Sequence, residues 1–249
     1  MDLNVDMGES FGRYKLGNDE EVMRYITSAN VACGFHAGDP LVMVETVRFA
    51  KENDVAVGAH TGLQDIRGFG RRRMDVTAEE LRCDTLYQLG ALDAVLKAHG
   101  MTMQHVKPHG ILYRMVSDEE KYCNAYLEAV SAFNRDLFIV IPRNTLIWKR
   151  GKDMGLKMAA EILVDLSYDE EGNWVLERTK KARSPEEVAE RAVMVAREQQ
   201  IPTISGKRIP AEADTICCHG DSPNAVEVVK QVKAEFQRLG LPLKKMGAA

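Results

Sequence analysis

Short apolar runs recur along this chain, and most end on a polar residue next to a glycine. Asn30-Val31-Ala32-Cys33 breaks at Gly34 and leads to His36, Gly38 and Asp39; Val55-Ala56-Val57-Gly58-Ala59 ends on His60. Met103 to Lys107 ends at Pro108-His109-Gly110, and Thr215 to Cys218 ends at His219-Gly220-Asp221. Leu137 to Ile141, closed by Pro142, and Leu156 to Val164, carrying Glu161 and followed by Asp165, complete the apolar runs. Each has the length and β-branched content of a buried strand. Leu3-Asn4-Val5-Asp6 alternates instead. If extended, it places Asp2, Asn4 and Asp6 on one face, and that much polarity predicts a face turned into a polar cavity.

Helical periodicity fills the intervals. Asp39 and Pro40 give a cap and a first-turn proline for a helix to about Asn53. Thr77 and Glu80 form a capping box for a helix to about His99, stopped by Gly100. Further helices are predicted from Ser117 to Phe133, Thr145 to Met154, Ser184 to Gln200 and Ser222 to Leu239. Tyr168 to Arg178 reads as an excursion turning at Glu171-Gly172-Asn173. Ile201 to Pro210 reads as a small hairpin, and Lys244 to Ala249 as a frayed tail.

Strand, polar residue with glycine, then helix: this unit appears about seven times, and alternating units of this kind imply a parallel sheet. An open sheet would gather only the strand ends near a switch point, whereas a closed barrel gathers them all at one mouth. The even spread of polar strand ends favours an α/β fold closed as a β/α barrel, with residues 1–249 as one domain.

Composition narrows the functional classes. A net charge of -4 gives no electrostatic case for binding nucleic acid or a membrane surface. No apolar run approaches the roughly 20 residues of a membrane span. The start Met1-Asp2-Leu3-Asn4 lacks the form of a signal peptide, and five cysteines without zinc-ribbon spacing fit reduced thiols. A cytoplasmic location is therefore expected. Cys217 and Cys218 are expected on opposite faces of one strand.

Four of the six histidines, His36, His60, His109 and His219, stand at strand ends, while His99 and His105 have structural positions. Asp6, Asp39, Lys107, Glu161, Asp165 and Asp221 are the charged groups able to join them. Such a set can hold a divalent metal that activates water, or do acid-base work on water directly. Cys33 and Cys218 read as buried structural thiols rather than nucleophiles. The chain has neither a P-loop nor a dinucleotide fingerprint. The loop from Gly62 to Arg73 follows His60 and carries Arg71, Arg72 and Arg73, so it is expected to form a lid with Arg71 turned toward an anionic substrate.

Asp6-Met7-Gly8-Glu9, Ala32 to Pro40, Gly58-Ala59-His60, Gly68-Phe69-Gly70-Arg71-Arg72, Val106 to Gly110 and Cys218 to Asp221 together resemble the LamB/YcsF family. The resemblance runs from residue 2 to about 240. It departs from the usual pattern at Val5, Thr61, Ile111 and Leu166. It implies an irregular seven-stranded parallel β/α barrel of the glycoside hydrolase/deacetylase type. It also implies the A subunit of an ATP-dependent 5-oxoprolinase, which opens 5-oxo-L-proline to L-glutamate. ATP is then a co-substrate of a complex with the B and C subunits, which activate the lactam by phosphorylation.

On that reading Asp6, His36, His60, His109 and His219 are the catalytic candidates. Asn4, Asn30, Arg71, Lys107, Glu161 and Asp221 are the substrate-binding candidates. A bound divalent metal stays open. Two other readings remain: a metal-dependent amidohydrolase or deacetylase acting on a small amide without ATP, and a non-catalytic ligand-binding scaffold.

Overall fold

Parallel strands close into a ring in the computed structural model, which describes residues 1–175 and 181–248. β1 (Asp2–Met7), β2 (Ser28–Ala32), β3 (Ala56–Thr61), β4 (Met103–Pro108), β5 (Phe138–Ile141) and β6 (Lys157–Leu163) neighbour one another in that order. β7 (Gln200–Pro202) and β8 (Arg208–Pro210) form an antiparallel hairpin outside the ring, and β9 (Thr215–His219) joins β6 back to β1. The expected seven-stranded barrel is thus the observed one. Its irregularity lies on one side: β3 and β4 slip register between Val57 and Gly58, and β4 meets β5 over a short stretch.

Strand alternation explains how such a barrel holds together. Leu3, Val5, Val31, Val57, Val106, Ile139 and Ile216 face outward and are buried under the helices. The helices contribute Val47, Leu89, Leu92, Leu112, Tyr126, Val229 and Phe236 to the same core. Burying each such side chain stabilises the fold by about 2 kcal/mol, which is what ties each helix to its strand. The alternate positions face the barrel axis and are largely polar, so this interior is not the stack of branched apolar residues common in such barrels.

The helices are α1 (Asp19–Val22), α2 (Pro40–Glu52), α3 (Ala78–Ala98), α4 (Gly110–Asp118), α5 (Glu120–Phe133), α6 (Leu146–Asp153), α7 (Pro185–Glu198) and α8 (Ala225–Arg238). Their start signals are used as expected in α2, α3 and α7. Asp39 accepts from the backbone of Leu41 and Val42, Thr77 and Glu80 close a reciprocal capping box, and Ser184 accepts from Glu187.

The structure corrects several expectations. The helix expected from Ser117 is two helices: α4 begins directly after β4, and Glu119 in extended conformation separates it from α5. α1, capped by Asn18, has too few residues to show periodicity. α8 starts at Ala225, beyond Ser222-Pro223, with Asn224 as its cap residue. The tail is docked: Met246 is buried against Phe138, Val140 and Ala159, and Gln104 Nε2 donates to its carbonyl. Tyr168 bridges Trp174 across the expected turn, while Leu176 to Arg178 lie outside the described residues. Asp39 is spent on capping α2 and on the backbone N–H of Gly12, and it does not line the cavity at the mouth.

Candidate active site

A polar column fills the barrel from its base upward. At the base the Asp2 carboxylate accepts hydroxyl hydrogen bonds from Thr27, Ser28 and Thr215. Burial pushes this carboxyl up from its ordinary range. One layer higher, Asn4 Nδ2 donates to Glu161 Oε1 at 3.1 Å and to Thr215 Oγ1 at 2.7 Å. Asn30 Nδ2 donates to Asn4 Oδ1 at 2.7 Å and to Asp6 Oδ1 at 2.9 Å, and Asn30 Oδ1 accepts from His105 Nε2 at 2.8 Å. Tyr113 Oη donates to Glu161 Oε2 at 2.7 Å.

Lys107 crowns the column. Its Nζ lies 3.0 Å from Asp6 Oδ1, 2.9 Å from Glu161 Oε1 and 3.1 Å from Cys217 Sγ. Burial opposes its charge, but the carboxylates of Asp6 and Glu161 hold the ammonium well above the ordinary lysine range. Burial would push Asp6 up; His60 and Lys107 outweigh it and hold the carboxylate well below its usual range. Burial pushes the Cys217 thiol up, so it stays protonated. Cys217 faces the axis and its neighbour Cys218 the helices, as strand alternation requires.

Above Lys107 a cavity of about 590 Å³ opens at the C-terminal ends of the strands. Its lining includes the polar Asp6, His60, Arg71, Lys107, His109 and His219 and the apolar or aromatic Ile111, Tyr113, Leu163, Leu166 and Trp174. The histidines divide three and one. His36, His60 and His109 cluster, with His36 stacked on His109 at 3.7 Å between ring centroids and His60 edge-on to both. Burial, reinforced by the neighbouring imidazoles, pushes His36 and His109 well below the ordinary histidine range.

The fourth stands on the other side of Asp6. His219 lies beside Asp165 of the β6 end, with Nδ1 at 2.9 and 3.0 Å from the two carboxylate oxygens and its backbone N–H donating to Oδ2 at 2.9 Å. A carboxylate that receives Nδ1–H fixes the tautomer and leaves Nε2 to accept a proton.

Two glycines are required here by close packing. A Cβ on Gly62 would lie 2.6 Å from His36 Nδ1, and one on Gly70, where φ is +63°, 2.7 Å from His109 Cδ2. Both belong to the loop after β3, which Asp65 orders by accepting from Gly68 and Arg72. Of its four arginines, Arg67 and Arg71 line the cavity. Arg71 donates to Asp221 Oδ2 across the mouth at 2.7 Å and lies over the Phe69 ring. Arg72 pairs with Asp65, and Arg73 pairs with Glu119 through two bonds of 2.7 and 2.8 Å.

Of the expected site residues, Asp6, His60, His109, His219, Arg71 and Lys107 border the cavity, and Asp221 holds Arg71. His36 lies behind His109. Asn4, Asn30 and Glu161 lie in the column below, where they hold Asp6 and Lys107 in place. Sequence reasoning passed over Glu9, whose Oε1 is 3.5 Å from His36 Nε2 and 3.8 Å from His109 Nδ1. Its signal is its place in Asp6-Met7-Gly8-Glu9, two residues past the end of β1. The partnership of Asp165 with His219, and the Phe69 carbonyl accepting from His109, also have no local signal in the sequence.

A closed parallel barrel with imidazoles and carboxylates gathered at its C-terminal mouth has the architecture of a hydrolase barrel. Residues 1–249 match the model of the LamB/YcsF family, and the chain belongs to that family. A protein of Pyrococcus horikoshii, named as the A subunit of 5-oxoprolinase, is 49% identical over 245 residues, 98% of this chain and 96% of the relative. One of the same name from Fusobacterium nucleatum is 42% identical over 248 residues, 99% of this chain and 96% of that relative. The crystal structure of a lactam utilization protein from Thermus thermophilus superposes with a TM-score of 0.92 at 39% identity, covering 98% of both chains.

Proposed function

We propose that this chain is the A subunit of an ATP-dependent 5-oxoprolinase, a hydrolase that opens 5-oxo-L-proline to L-glutamate, and that residues 1–249 act as one catalytic domain. The observation that carries the reading is its 49% identity, over 98% of its length, to a protein named for that activity. The cavity supports it. Its apolar lining residues, with Ile111, Leu166 and Trp174, suit the methylenes of a small lactam, and its polar lining residues offer acid-base groups and the guanidiniums of Arg67 and Arg71.

A five-membered lactam is a stable amide, and ATP overcomes that stability. Phosphorylating the lactam oxygen, the step given to the B and C subunits, converts the amide to an imidate. Water adds to its carbon, a proton reaches the ring nitrogen, and the C–N bond breaks. The acyl phosphate that remains takes up a second water to give the carboxylate and phosphate. His219, oriented by Asp165, takes the proton from water through Nε2. Protonated, it returns that proton to the ring nitrogen. Arg71 holds the substrate carboxylate in a bidentate grip, with Asp221 fixing its guanidinium. Lys107 supplies positive potential to the oxyanion while Asp6 and Glu161 hold it still.

Reconstitution with the B and C subunits tests the assignment by omission. Glutamate forms from 5-oxo-L-proline and ATP in the full mixture, and none forms when this chain is left out. Undiminished glutamate without this chain refutes the assignment. A second reading, a metal-dependent amidohydrolase acting without ATP, is favoured by one observation: ligand atoms of Glu9, His36, His60 and His109 lie within 4.8 Å of one another. It predicts ring opening in the absence of nucleotide.

A further inference from the structure

The rings of His60 and His109 stand nearly perpendicular, at 89°, and each is tied to the backbone at its outer edge. His60 Nδ1 lies 3.0 Å from the carbonyl of Lys107, and His109 Nε2 lies 2.8 Å from the carbonyl of Phe69. A backbone carbonyl only accepts, so each ring keeps its proton on that outer nitrogen. In the neutral rings the inner nitrogens, His60 Nε2 and His109 Nδ1, therefore carry lone pairs. These two atoms face each other at 3.0 Å. Asp6 Oδ2 is 3.3 Å from His60 Nε2, and Glu9 Oε1 is 3.8 Å from His109 Nδ1. All four side chains are more than nine-tenths buried. Four acceptor atoms turned toward one small, dry volume repel one another unless a cation lies among them.

We propose that His60, His109 and Glu9, with Asp6 beside them, bind one divalent transition-metal ion at the wall of the cavity. Imidazole with carboxylate is a donor set for zinc and its first-row neighbours. Metal–nitrogen bonds of about 2.0–2.1 Å put tetrahedral ligand atoms about 3.3 Å apart, and the separations here run from 3.0 to 3.8 Å. Each imidazole donates its other N–H to a backbone carbonyl, the outer contact that orients a metal-binding histidine. His60 and His109 border the cavity, so the ion keeps one side open to it. Bound there, it would polarise a substrate oxygen and acidify water.

His36 has a different part. It lies 7° from parallel with His109, ring over ring at 3.7 Å, so the in-plane lone pairs of these two rings cannot meet at one point. It is fully buried, and neither of its ring nitrogens makes a hydrogen bond among the described residues. It fixes the plane of His109 by stacking and flanks Glu9.

The competing occupant is a single proton on His60 Nε2, shared with His109 and Asp6. Both occupants are compatible with ring opening with or without ATP, so the test reads metal and not turnover. The protein is stripped with chelator, dialysed and titrated with Co²⁺. The proposal expects one cobalt per chain, with the visible absorption of a nitrogen- and oxygen-ligated ion, displaced by one equivalent of Zn²⁺. Glu9→Gln and His109→Gln each weaken binding at least tenfold, in variants whose melting temperature without metal confirms folding. His219→Ala leaves binding unchanged. Failure of the wild-type protein to take up cobalt at saturating concentration overturns the proposal, whatever the variants do. So does binding lost in His219→Ala and kept in His109→Gln, which would move the ion to the neighbouring group of Asp6, Cys217 and His219.

Discussion

Asp165 grips His219 twice, accepting its backbone N–H and facing its ring Nδ1 with both carboxylate oxygens. The two residues are 54 positions apart and meet because β6 and β9 are neighbours in the ring. The grip fixes Nε2 as the basic atom. Replacing His219 by alanine is expected to lower kcat for glutamate release by about 10²- to 10⁴-fold, the usual worth of a general acid-base group. Asp165→Asn also lowers kcat, because an amide NH₂ facing Nδ1 favours the wrong tautomer, and it leaves KM within a few-fold. A mainly KM effect in either variant would contradict the role.

Arg71 tests substrate anchoring. Lysine keeps the charge but loses the planar fork. Arg71→Lys in the assembled complex is expected to lower kcat/KM for 5-oxo-L-proline tenfold or more, about 1.4 kcal/mol of transition-state binding. Asp221→Asn, which frees the guanidinium from its fixed position, changes it in the same direction by less. Unchanged kinetics in Arg71→Lys would place the substrate carboxylate elsewhere.

Lys107 is the cation shared by two buried carboxylates, Asp6 and Glu161. Removing one partner of a buried ionic network leaves uncompensated charge, at a cost of about 3–5 kcal/mol. Lys107→Met is therefore expected to lower the free energy of unfolding by about that amount at neutral pH, measured by urea denaturation. A loss below about 1 kcal/mol would show that the column relaxes without its cation.

The column also sets an acid limit. Burial, with Lys107 and His60 nearby, pushes His105 down to about 3. The unfolded chain takes up this proton near pH 6.5, so between those values the unfolded state binds more protons and stability falls as pH falls. The His105 contribution is fully present above about 6.5 and is lost by about 1.4 kcal/mol per pH unit toward 3. In His105→Gln, unfolding free energies followed from pH 7 to 4 are expected to decline less steeply than in the wild type. Parallel declines would mean that His105 is protonated in the native protein.

How much of this was legible in the sequence follows from range. His60, His109 and His219 could be read because each ends an apolar run beside a glycine, a pattern local to a few residues. Asp2, Asn4 and Asp6 could be read as one polar face because strand alternation is local too. That this face meets Asn30, His105, Glu161 and Thr215 in a packed column, with Asp6 alone of the three reaching the cavity above, depends on ring closure between β1 and β9. α4 was missed because Pro108 and Gly110 read as a turn, yet the helix begins at Gly110 and its cap residue, His109, makes no side-chain capping bond. The tail read as frayed because Lys244 and Lys245 are polar, while Met246 beyond them is buried against Phe138 at the base of the barrel.

In the proposed reaction this chain opens an ATP-activated lactam. Its most direct test is the ratio of glutamate formed to ADP formed, measured in the complex reconstituted with the B and C subunits. Equal amounts of the two are expected with the wild-type chain, no glutamate without ATP, and at least a hundredfold less glutamate with His219→Ala. Glutamate formed without ATP, or formed at the full rate by His219→Ala, would contradict the proposed reaction.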